Sequence, residues 1–156
     1  DRQIADQEQA RWARVIRRSV VLFALGLLLN AFPAFDFPHL RVMGVLQRIA
    51  ICYLVCAILV ARTRVMAQVL IGIALLGAYE AAVRLVPVPG GAAGEATIGH
   101  NLVAWIDQSV FGVSHIYKDG GVAHDPEGLL STLPAIATMS LPRPGGVGRK
   151  PDASRC

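Results

Sequence analysis

Side chains able to move protons gather late in this chain. His115, Tyr117, Asp119, His124, Asp125 and Glu127 lie close together in sequence, with His100 and Asp107 shortly before them. Histidine titrates near neutral pH, and a neighbouring carboxylate can orient it or share its proton, so such a group is suited to general acid–base chemistry. His115, Asp125 and Glu127 are the candidates to support catalysis, with Asp107 and Tyr117 as candidate binding groups. Each has a plainer reading. The histidines fit polar loop positions. Asp125-Pro126-Glu127 reads as a helix start, with Asp as N-cap, Pro at the first position and Glu in the first turn. No third ligand at a recognised spacing accompanies His124 and the two carboxylates, so no metal site is expected. There is no glycine-rich phosphate loop after a strand and no serine nucleophile elbow.

A second chemical group lies far upstream. Arg48, next to Gln47, sits within the apolar run bounded by Arg41 and Arg62. An ionisable side chain inside a membrane span costs about 2.5–3.5 kcal/mol on insertion scales, which calls for a partner or a role. A guanidinium offers a planar fork of donors for a carboxylate or a phosphate, and Glu127 or Asp125 is its expected partner. Gln47 and Arg48 are the candidate binding residues of this run.

These groups must be positioned by membrane helices. Of the 156 residues, 54% are hydrophobic and only 17% charged, and the apolar residues come in runs long enough to span a bilayer. The predicted fold class is all-α: a polytopic transmembrane helix bundle with three full spans, an outer loop carrying a short surface helix, and the start of a fourth span. Residues 1–18 form a basic, amphipathic cytoplasmic segment. Residues 19–141 form the membrane domain, with spans at about 15–35, 42–61, 65–86 and 129–141 and an outer loop at 87–128. Residues 142–156 change composition abruptly and read as a disordered end or a shifted reading frame.

The charge layout sets the expected orientation. Arginines are dense before the first span and at Arg62 and Arg64, and sparse between the first two spans. That places the N-terminus in the cytoplasm and loop 87–128 in the periplasm of a bacterial inner membrane. Within the loop, Leu102, Val103, Ile106 and Val110 recur at helical spacing, with Trp105 as an interface anchor. Glu80 and Arg84 are four apart on one helix face and can pair. Cys52 and Cys56 read as small packing residues. No aromatic-interleaved basic patch points to nucleic acid.

Two stretches carry a family resemblance. Leu40–Ala50, LRVMGVLQRIA, resembles the R-x-P-G-V-L-Q-R signature of the heparan-alpha-glucosaminide N-acetyltransferase family and its bacterial relatives. Asn101–Ile136, containing DQSVFGVSHIYKDGG and DPEGLLSTLPAI, is similar to a second region of that family in the right order. The resemblance implies a polytopic enzyme that passes acetyl from cytosolic acetyl-CoA, as co-substrate, to the amino group of a glucosamine-type sugar or glycan across the membrane. It implies the lipid bilayer and that acceptor as partners, leaves room for a homo-oligomer, and places His115 and Tyr117 at an acceptor-lining position.

The departures shape a further expectation. Met43 stands where many relatives have proline, and the similarity ends after Thr138. The family's proposed catalytic histidine lies in an earlier segment, and none of His39, His100, His115 or His124 matches it. The chain is thus expected to be a central fragment, inactive alone. The alternative reading is a membrane transporter or assembly subunit, or a non-catalytic gene remnant.

Overall fold

A computed structural model of the chain describes residues 2–141. The aberrant composition noted at 142–156 lies outside the described residues. The first helix, α1 (Arg2–Ala31), runs unbroken from the charged N-terminal segment into the apolar run, so the two segments separated in the sequence reading are one rod. It stops just ahead of Pro33, whose ring and missing N–H cannot continue a helix. A 3₁₀ turn at Phe37–His39 follows. Then come α2 (Val45–Arg62) and α3 (Val65–Leu85), separated by Thr63, whose N–H still donates to Leu59, and by Arg64.

Among the described residues, α2 and α3 are the helices long and apolar enough to cross a membrane. Their outer faces expose Ile58, Val60, Leu70, Ile73 and Leu76. In water such a surface would drive association, whereas lipid solvates it at no cost.

Beyond α3 the chain winds through glycine-rich irregular backbone to α4 (Leu102–Phe111), where Asn101 accepts from the Ala104 N–H as N-cap. A two-residue hairpin follows, β1 (Lys118–Asp119) against β2 (Val122–Ala123), turning through Gly120 and Gly121, both at positive φ. The last helix is α5 (Leu129–Ser140).

Packing is not sequential. α1 packs on α2, but α2 and α3 touch little, because α5 wedges between them and packs on both. Small residues permit the approach: Gly72 of α3 faces Ala137 and Ser140 of α5, as close helix contacts in lipid require. α4 lies against α5 and buries Leu102, Ala104 and Asp107, while Trp105 and Val110 stay exposed. One sequence reading is corrected here. Asp125-Pro126-Glu127 does not open the helix: the N-cap is Gly128, and Asp125 instead accepts from the Glu127 N–H at 3.0 Å, closing a turn just before α5.

Candidate functional site

Short irregular backbone at 40–42 ties α1 to the residues around His115. The Asn30 amide of α1 donates to the Arg41 carbonyl at 2.9 Å. The Val42 N–H donates to the His115 carbonyl at 3.0 Å, and the His115 Nδ1 sits 2.8 Å from the Leu40 carbonyl. A carbonyl only accepts, so Nδ1 carries the proton of this contact and Nε2 is the ring's other nitrogen.

The Arg41 side chain reaches across to the turn before α5. Its Nε and Nη2 grip Asp125 at 3.0 and 2.7 Å, a bidentate pair, and Nη2 also bonds Glu127. Its guanidinium lies 5.0 Å over the Tyr117 ring. Burial works against the Arg41 charge, but the bonds and charges of Asp125 and Glu127 outweigh it and hold its pKa above the usual value. The Asp125 side chain is 1% exposed, and Glu127 and Tyr117 are more open. His115, Tyr117, Asp125 and Glu127 are therefore brought together, with His124 edge-on to Tyr117.

The partner expected for Arg48 is different from the one observed. Both carboxylates belong to Arg41, and Arg48 donates to the carbonyls of Pro126 at 3.2 Å and Ser131 at 3.1 Å. Arg41, in the segment before α2, takes both carboxylates, and Arg48, in the first turn of α2, reaches the backbone carbonyls on either side of Gly128 instead. Among the described residues no carboxylate neutralises Arg48. Gln47 points the other way, into the α1–α2 contact. It is 1% exposed, pressed on Gly26, Gly44 and Asn30, and its Nε2 finds no partner among the described residues. Its side chain packs in the α1–α2 contact and lines none of the clefts described below.

Asp107 is also enclosed. Its Oδ1 accepts from the Leu129 N–H at 2.9 Å, at the start of α5, while its Oδ2 is buried with no partner among the described residues. Burial pushes its pKa up from 3.8 to about 6, the Leu129 N–H opposing and the nearby charge of Asp125 adding to the rise.

One cleft borders these groups, and a second shares none of their residues. A small one of about 250 Å³ is lined by Tyr79, Asn101, His124, Asp125, Pro126 and Ser131. A second, of about 690 Å³, lies between α1, α2 and α5, with Arg17 and Arg18 at one end and Val21, Leu22, Tyr53 and Met139 along its wall.

Sequence reasoning took Arg41, Arg17 and Arg18 for topology charges alone, and did not foresee that Arg41 pairs with Asp125 and Glu127 or that Arg17 and Arg18 line a cleft. The signal for Arg41 was present, since it is the first arginine of the quoted L-R-x-x-G-V-L-Q-R stretch. Residues 2–112 match the protein-family model described as "Heparan-alpha-glucosaminide N-acetyltransferase, catalytic". No curated protein matches the chain.

Proposed function

Because the chain belongs to the heparan-alpha-glucosaminide N-acetyltransferase catalytic family, we propose that it serves a membrane acetyltransferase, taking acetyl from acetyl-CoA and delivering it to the amino group of a glucosamine-type sugar or glycan. The apolar part of α1, α2 and α3 are its three spans, and α5 begins the fourth. The basic start of α1 lies in the cytoplasm of a bacterial inner membrane, and loop 87–128 faces the periplasm.

The donor assignment is carried by the 690 Å³ cleft. Coenzyme A has a phosphate-bearing head and a long uncharged arm. Arg17 and Arg18 suit the phosphates, and the wall of Leu22, Tyr53 and Met139 suits the arm. Arg48, which has no carboxylate partner among the described residues, can meet negative charge on the donor. On the acceptor side, Glu127 holds the sugar's amine while it is an ammonium, and Nε2 of His115 takes the proton the amine sheds. The amine then attacks the thioester carbonyl, the C–N bond forms as the C–S bond breaks, and the nitrogen's second proton goes to the departing coenzyme A thiolate. Tyr117 closes that wall, and the buried Asp125 keeps Arg41 in place.

The test uses native membranes from cells carrying each change in the chromosomal gene, radiolabelled acetyl-CoA and glucosamine. Replacing Arg17 and Arg18 by alanine should raise KM for acetyl-CoA about tenfold, the loss of contacts worth near 1.4 kcal/mol, with the acceptor KM unchanged. Glu127→Gln should raise the acceptor KM instead. Absence of acetyl transfer to glucosamine, or arginine changes that leave the acetyl-CoA dependence untouched, refutes the reading.

A further inference from the structure

The outer loop holds a third cleft that the scheme above does not use. It measures about 350 Å³ and is lined by Trp105, Glu95, Thr97, His100 and Gln108, with Gly90, Gly91 and Gly99 in its wall. Trp105 is 40% exposed although α4 packs on the protein, so one large flat apolar face stands beside a carboxylate, a hydroxyl, an imidazole and an amide. The wall is built rather than slack. The Gln108 amide donates to the Gly99 carbonyl at 3.2 Å and the Ala123 carbonyl at 2.8 Å, tying α4 to the turn before it and to β2. The Thr97 hydroxyl bonds Glu95. Gly90 and Gly99 take positive φ, which glycine alone adopts freely; the space beside Gly90 is open to a ligand, while that beside Gly99 is filled by Val122 of β2.

A flat apolar face ringed by polar groups matches a pyranose ring, which offers C–H bonds on its face and hydroxyls at its edge. A lipid tail would meet too many polar groups here, and an inorganic anion would meet Glu95. The cleft also lies beside the acceptor wall. His100 lines this cleft and Asn101, the next residue, lines the smaller one that holds His124 and Asp125. Ala123, which accepts from Gln108, precedes His124.

We propose that this cleft is a saccharide subsite that binds the sugar next to the one acetylated, with Trp105 as its stacking platform. The inference rests on the acceptor reading above and adds a place for the acceptor's second sugar.

The experiment uses the full chain in nanodiscs, with Trp12→Phe so that emission reports Trp105 alone. Glucosamine and the β-1,4-linked glucosamine disaccharide are titrated, and Kd is measured by calorimetry in parallel. The disaccharide should bind about tenfold tighter than glucosamine, a difference of 1.4 kcal/mol, and shift the Trp105 emission. Trp105→Ala should abolish that preference and leave the glucosamine Kd unchanged, while Trp105→Phe should retain part of it. Glucosamine binding with no gain for the disaccharide overturns the subsite alone. Binding of neither sugar overturns the acceptor reading and the subsite with it. Quenching of Trp105 by brominated lipid, unrelieved by the disaccharide, overturns the subsite in favour of a membrane anchor.

Discussion

Asp125 and Asp107 are both buried, at 3% and 0% exposure, and both sit against the start of α5, yet they are treated oppositely. Asp125 accepts from Arg41 through both oxygens and from the Glu127 N–H, so each oxygen is satisfied. Asp107 has one backbone N–H on one oxygen and none on the other. Burial alone therefore does not decide how a carboxylate behaves. A guanidinium turns one into a fixed strut of the outer site, and its absence leaves the other as a group that gains a proton near pH 6.

The sharpest way to break this contrast is to remove Arg41. Arg41→Ala strands Asp125 without a counter-charge and frees the 40–42 segment from the turn before α5. Removing one partner of a buried pair costs about 3–5 kcal/mol, and the partial exposure of Arg41 places the expected loss near the lower figure. Thermal unfolding in detergent should show a large drop in Tm, partly recovered by adding Asp125→Asn, since an amide needs no counter-charge. Equal losses from the single and double changes would show that the pair is not what holds the turn.

Asp107 gives the next effect, and its sign is definite. Its pKa in the folded chain is raised from 3.8 to about 6, so the folded protein keeps a proton that the unfolded chain releases. Stability should be full below pH 4, fall as pH rises to about 6, and level off above. The loss amounts to at most about 3 kcal/mol for a shift of roughly two units. Asp107→Asn keeps the acceptor for Leu129 without the charge. It should flatten that dependence and be more stable than the parent chain at pH 7, read from Tm against pH. A slope unchanged by the substitution would assign the titration to another group.

How much of this was legible beforehand depends on the range of the interaction. The two apolar runs that became α2 and α3, the short run of α5 and the pairing of Glu80 with Arg84 are local patterns, and local patterns are what hydropathy and helical spacing encode. Arg41 meets Asp125 across more than eighty positions, so its role as hub cannot be read from its neighbours. The pattern read α4 as a short surface helix with Trp105 at the interface, and Trp105 and Val110 do stay exposed, but nothing local showed that Asp107 faces α5 and is buried there. A charged residue in an amphipathic helix reads as its wet face. Only the tertiary structure reveals that Leu129 offers an N–H for it to accept.

The smallest effect tests whether Asp107 is held by fit as well as by that single hydrogen bond. Gly128, the N-cap of α5, has φ −65°, a value open to every residue, so its backbone does not demand glycine. Space does: a Cβ there would run into the Asp107 carboxylate. Gly128→Ala should cost about 1–3 kcal/mol, the usual range for overpacking a tight site. The penalty should fall to a few tenths in an Asp107→Ala background, a coupling that a double-mutant cycle measures directly. Asp125 has no such neighbour, and the partners of its carboxylate are donors that attract it. A penalty that persists without the Asp107 side chain would mean that Gly128 is required for the path of the chain into α5. Its loss with Asp107→Ala would instead show that the missing Cβ exists to make room for a carboxylate with no counter-charge.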